Sequence, residues 1–85
     1  MATLHLVNHP ESLEPCLAVA APDDTVLLLQ DAVRLAGRDQ PRPLLALADD
    51  LETFGVSTLG ANVESTDYDG FVHLAVAHNP IVTWR

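Results

Sequence analysis

The chemistry open to this chain turns on Cys16, its single cysteine, and on four histidines, His5, His9, His73 and His78. A thiol attacks only as its thiolate, and a place near a helix N-terminus lowers its pKa. Cys16 lies in Ser12-Leu13-Glu14-Pro15-Cys16-Leu17, where Ser12 sits at an N-cap position and Pro15 is tolerated in the first turn. Glu11 and Glu14 oppose ionisation by placing negative charge nearby. Leu13, Cys16, Leu17 and Ala20 recur at i, i+3, i+4 and i+7, one apolar stripe on which a small thiol packs well. Two readings stand side by side, a reactive thiol at a helix start and an inert one in the core. A lone cysteine also excludes an internal disulfide framework and a zinc site built mainly from cysteines.

The histidines do not have the spacing of a metal site. His5 lies in a strand and His9 after a turn, so their i, i+4 relation is not helical, while His73 and His78 point apart on a helix. They read as core-edge or solvent residues, although His9 could approach Cys16 and assist thiolate formation. Asp31, the Asp49-Asp50 pair and Asp67-Tyr68-Asp69 read as acidic helix starts. No carboxylate pair stands in an apolar setting as a general acid and base would. The glycines, four in number, are scattered singly, with no phosphate-cradling loop. No cofactor and no metal is expected.

These residues must be positioned by a small scaffold. The 85-residue chain is read as one domain spanning 1–85, and its apolar fraction of 48% is that of a folded protein. The acidic residues number 12 against four arginines and no lysine, a net charge of −8 that repels phosphate backbones. Direct nucleic-acid binding is therefore not expected. No apolar run approaches the roughly 20 residues that span a bilayer, and no basic, then apolar leader opens the chain, so a cytoplasmic protein without membrane contact is expected.

Thr3 to Val7 reads as a strand entering the Asn8-His9-Pro10 turn, and the helix carrying Cys16 follows, stopped by Pro22-Asp23-Asp24. The continuous apolar run Thr25 to Leu29 reads as a strand buried on both faces. Asp31 then caps a helix with Val33, Leu35 and Ala36 on its apolar side, ending at Gly37, and Arg38 to Pro43 is a surface loop. Pro43 to Ala48 is a third strand, followed by a short helix through Phe54 with Gly55 beyond it. Val56 to Ser65 is ambiguous, with a short strand around Ala61 to Glu64. A helix opened by Asp67 and stopped by Asn79-Pro80 leads to a last strand, Ile81 to Trp84. Phe71 and Trp84 read either as core aromatics or as subunit anchors. This alternation specifies an α/β layered fold, with a mainly parallel sheet of four to five strands flanked by short helices. Helices this short cannot cover the sheet, so another subunit is expected to bury an apolar face.

With these residues in view, the chain resembles the DsrH/TusB family, the small subunits of DsrEFH and TusBCD sulfur-relay complexes. The likeness is carried by Thr3-Leu4-His5, by Leu27-Leu28-Leu29-Gln30-Asp31-Ala32-Val33, by Ala46-Leu47-Ala48-Asp49-Asp50-Leu51, and by Asp67-Tyr68 through Phe71-Val72 to Trp84. Ala32 replaces a common glycine, and Thr53-Phe54-Gly55 replaces a usual Ala-Arg-Gly. The resemblance implies a flavodoxin-like, DsrEFH-like fold in fewer residues than flavodoxin-like domains usually have. It implies a dimer of heterotrimers with homologous DsrE/TusD-like and DsrF/TusC-like subunits, and a downstream sulfur-acceptor protein. Sulfur in such complexes moves as a cysteine persulfide, and the indispensable cysteine lies on the DsrE/TusD subunit. The role implied here is an accessory, mainly docking subunit of a sulfurtransferase complex acting toward 2-thiolation of the tRNA wobble uridine. The alternative is a DsrH-type subunit of a sulfur-oxidation complex with Cys16 as persulfide carrier, since Cys16 matches a cysteine of DsrH-like members. A small homo-oligomeric module of unrelated function is the third reading.

Overall fold

In the computed structural model, which describes residues 2–85, five strands form one sheet. They are β1 (Leu4–Val7), β2 (Thr25–Leu28), β3 (Leu44–Leu47), β4 (Val63–Thr66) and β5 (Ile81–Trp84), in the order β4-β3-β2-β1-β5. Every pairing is parallel. Helices α1 (Leu13–Val19), α2 (Ala48–Thr53) and α3 (Tyr68–Ala77), with 3-10 segments at Pro10–Ser12 and Gln30–Gly37, make the connections. The small α/β layer expected from the alternation of elements is the fold observed.

Topology decides which face each helix covers. The chain steps from β1 to β4 in one direction, and right-handed crossovers place α1, the Gln30–Gly37 segment and α2 on one face. The return from β4 to the far side of β1 reverses direction and sends α3 to the other face. On the first face, Val7, Val26, Leu28, Leu44, Ala46 and Val63 meet Leu13, Cys16, Ala32, Val33, Ala36 and Leu51 in one continuous core. Burying each leucine or valine there contributes roughly 1.5–3 kcal/mol. Side chains alternate along a strand, so Leu4 and Leu27 belong to the second face; both are fully buried. Leu6, Leu45 and Leu47, also on that face, are only half-buried, and none of the residues of α3 is buried.

Local departures from the sequence reading have identifiable causes. Ser12 has helical backbone angles, because the 3-10 turn runs straight into α1, and its side chain makes no cap. Asp31 does not cap the next helix either; it lies inside the first turn and pairs with Arg34 at 2.8 Å. That helix is 3-10, whose three residues per turn align Val33 with Ala36, both buried. Asp49 and Asp50 likewise lie within the first turn of α2. Gly55 closes α2 at φ +70°, the left-handed conformation expected of it. Asn62 takes the same region (φ 70°) and delays β4 to Val63. Asp67 does cap α3, accepting the Gly70 N–H at 2.7 Å. Among the described residues, no helix is long and apolar enough to cross a membrane.

The loop before β4 is held by close backbone approach. Gly60 donates its N–H to the Ala36 carbonyl at 2.8 Å, and a methyl at Gly60 would collide with the backbone of Arg38 and Asp39. Neither side of that contact can rotate away. Gly60→Ala should therefore lower stability by about 1–3 kcal/mol. Gly37→Ala, whose methyl would meet only the Thr58 carbonyl oxygen at 3.5 Å, should cost less than about 1 kcal/mol. Urea denaturation of the two variants side by side checks the contrast.

Candidate functional site

Cys16 sits on the inner side of α1, fully buried in the core with Leu13 and Val7 as fellow members. Burial pushes its pKa from 9.0 up to about 11; the positive charge of Arg42 pulls it down, and the carboxylate of Asp24 pushes it further up. Desolvation outweighs the attraction of the cation and any help from the helix start. With such a value only about one thiol in ten thousand is ionised at neutral pH. Glu11 and Glu14 lie exposed on the outer side. His9 is exposed on the turn after β1, and none of the described hydrogen bonds joins it to the thiol.

The most organised polar cluster lies at the junction of β1, β2 and β5. His5 alternates with Leu4 and Leu6, so it faces inward with Val7 and is 5% exposed. Its Nε2 lies 2.9 Å from Asp24 Oδ2, and its Nδ1 accepts the Trp84 indole N–H at 3.0 Å. Because indole nitrogen only donates, Nδ1 must carry a lone pair and Nε2 the proton, which it donates to Asp24. Asp24 also accepts the Thr3 N–H and the Ala21 N–H, each at 2.9 Å. These donors hold its carboxyl well below the usual carboxylate range, the Thr3 N–H contributing most, then His5 and Ala21. The Arg42 guanidinium donates to the Asp24 carbonyl at 2.7 Å and reaches the Ala20 carbonyl at 3.4 Å, tying the end of α1 to the start of β2. No buried polar side-chain atom among the described residues lacks a partner.

Sequence reasoning read His5 as a core-edge or solvent residue, Asp24 only as part of a helix stop, and Trp84 as either a core aromatic or a subunit anchor. The structure packs Trp84 against the core and joins all three side chains. The signal was present in the alternation of β1: a histidine with the parity of Val7 must find polar partners inside. His78 is also engaged. Its ring donates from Nδ1 to the Leu74 carbonyl at 2.8 Å and accepts the Thr25 hydroxyl at Nε2 at 2.9 Å, pinning the end of α3 over β2. His73 is exposed. Among the described residues, no group of three or more histidine, cysteine or carboxylate side chains is arranged to hold a metal ion.

The outer side of α3 carries three exposed large apolar side chains. Tyr68, Val72 and Val76 follow at i, i+4 and i+8 with exposures of 62%, 43% and 83%. Ile81 on β5 adds a further exposed aliphatic group at 44%. Phe71 and Leu74, on the inner side, are half-buried. An apolar stripe on both sides of one helix is the pattern of an element packed between two layers.

Comparison with known proteins yields one family. Residues 8–81 match the family model described as DsrH like protein. The matched span begins just after β1 and ends at the first residue of β5, so His5 and Trp84 lie outside it. No curated protein matches the chain.

Two outcomes follow for Cys16 and Asp24. Alkylation of Cys16 by iodoacetamide at about pH 8 should be at least about 100-fold slower in the native protein than in urea, read by mass spectrometry. A depressed carboxyl pKa stabilises the fold fully above the unfolded-state value and loses that contribution as pH falls below it. The urea midpoint should therefore drop as pH is lowered below about 4. Asp24→Asn should lower the midpoint at neutral pH and remove part of that acid dependence.

Proposed function

The chain belongs to the DsrH family, and on that premise we propose that it is a DsrH-type docking subunit of a heteromeric sulfur-relay complex. Members of the family work in sulfur-relay systems with DsrE/TusD-like and DsrF/TusC-like partners. The proposed assembly is the dimer of heterotrimers that the resemblance implies, delivering persulfide sulfur to a downstream acceptor protein. The observation that carries the docking role is α3, a helix of 10 residues with no buried side chain. Against it lies a sheet face on which Leu6, Leu45 and Leu47 remain half-buried. A parallel sheet is stable with both faces covered, and a homologous subunit seated on α3 completes the second cover.

The DsrH description favours sulfur oxidation as the setting over thiolation of the tRNA wobble uridine. The net charge of −8 also argues that any RNA contact would be made by another chain. Cys16 as persulfide carrier is the second reading, favoured by the Arg42 charge that lowers the thiol pKa. In that role the Cys16 thiolate would attack the outer sulfur of a donor persulfide, form a new S–S bond and release the donor thiolate. The buried, protonated thiol described above fits the docking role better, because a carrier would first have to lift α1 from the sheet.

In a complex reconstituted with the two homologous subunits, Cys16→Ser should leave sulfur transfer within about twofold of the parent. Loss of transfer would overturn the docking role in favour of the carrier. Val76→Asp changes a side chain that is 83% exposed and should weaken assembly at least about tenfold, or about 1.4 kcal/mol, in sedimentation experiments. Unchanged assembly would remove α3 from the interface.

A further inference from the structure

Among the described residues, strand β5 pairs only with β1 and forms one edge of the sheet. Its aliphatic side chains contribute little burial, Ile81 and Val82 being 44% and 37% exposed. Besides its ladder, its C-terminal end is held by Asn8 N–H donating to the Trp84 carbonyl at 3.2 Å and by the indole bond to His5. The Trp84 and His5 rings lie 6.1 Å apart at an angle of 39°. The side-chain part of that hold, the indole bond, thus runs through a lone pair on an imidazole nitrogen.

That lone pair is the one place where His5 can take a further proton. Nε2 already carries a hydrogen directed at Asp24, so protonation must occur at Nδ1, the atom that accepts from Trp84. An Nδ1–H set against the indole N–H leaves two donors facing each other. On the opposite side the same proton turns a hydrogen bond from a neutral ring to the Asp24 carboxylate into an ion pair, strengthening that contact. Protonation therefore shifts His5 from bridging Asp24 and Trp84 to binding Asp24 alone.

We propose that His5 is a proton-operated latch on the edge strand: neutral, it pins the Trp84 indole and steadies the end of β5; protonated, it lets the indole go while tightening on Asp24. The groups facing the imidazole are few. Asp24 approaches from the turn before β2, Trp84 from β5, and Arg42 stands behind Asp24 on its carbonyl. The Cys16 thiol on α1 lies in the field of the same Asp24 and Arg42, and Arg85 follows Trp84 in the chain. Loss of the indole bond leaves the end of β5 on its ladder to β1 and on the Asn8 N–H alone, a loosened edge that opens more often. This inference concerns the edge strand alone and does not rest on the sulfur-relay reading.

Trp84 is the single tryptophan, so its fluorescence reports the latch directly. Titration of the full chain from about pH 8 to about pH 5.5, the range in which histidines change charge, stays above the isoelectric point of about 4.5. The expected result is one fluorescence transition that coincides with titration of His5 in nitrogen-15 spectra of its imidazole. Across it, amide exchange of residues 82–84 should accelerate by at least about tenfold, while amides of β3 keep their protection. His5→Gln keeps an acceptor for Trp84 and a donor for Asp24 but cannot titrate, and it should abolish the transition. Should that variant fail to fold, the wild-type imidazole and exchange data decide alone. The latch is overturned by a His5 that gains no proton over this range, by unchanged β5 exchange while His5 titrates, or by a transition that survives in a folded His5→Gln.

Discussion

A parallel sheet must be covered on both faces, and in this chain the crossovers can cover only one of them well. Each strand is four residues long, and each step from β1 to β4 deposits its helix on the same side. The core formed there gathers valines, leucines and alanines from four strands and three helical segments. Among the described residues, the other side receives α3 alone. The apolar character of α3 on its outer as well as its inner surface follows from that shortage, and so does the proposal of a homologous subunit as its cover.

The polar interior is organised by one carboxylate. Asp24 binds the Thr3 and Ala21 amides and the His5 ring, and its own carbonyl takes the Arg42 guanidinium. Three stretches of the chain thereby meet at one turn: Thr3 with β1, the turn after α1 itself, and the loop before β3. His5 carries the connection on to Trp84 and the edge strand. Buried polar groups of this kind are expensive when unpaired, which gives the junction a single arrangement.

Cys16 shows how packing decides chemistry. Its position in α1 suits a nucleophile by sequence alone, yet the same stripe that brings it into the helix turns it into the core. Burial then dominates the neighbouring cation. A thiol in that state fills space as a small hydrophobe, which is what the proposed docking role asks of it.

Much of the fold was legible in the residues. Apolar runs bounded by turn residues located β1, β2, β3 and β5 to within a residue or two, and Asp67 marked the start of α3 because its carboxylate has a local backbone target. Periodicity also placed Cys16, Leu13 and Leu17 on one side of α1. Local signals worked where the partner lay within a turn of the chain. They were weaker for β4, whose entry depends on Asn62 in a left-handed conformation, and for the Gln30–Gly37 segment, where packing selects a 3-10 helix.

The sequence by itself determined the parallel α/β alternation, the excess of acid, the solitary thiol and the apolar last helix, because these reside in composition and short-range order. Only the tertiary structure decided that Cys16 is sealed and that His5, Asp24 and Trp84 form one hydrogen-bonded unit. His5 and Trp84 are 79 residues apart, and no local pattern carries information over that distance. Sheet order does: it sets β5 beside β1, and the register then places both side chains on the same face.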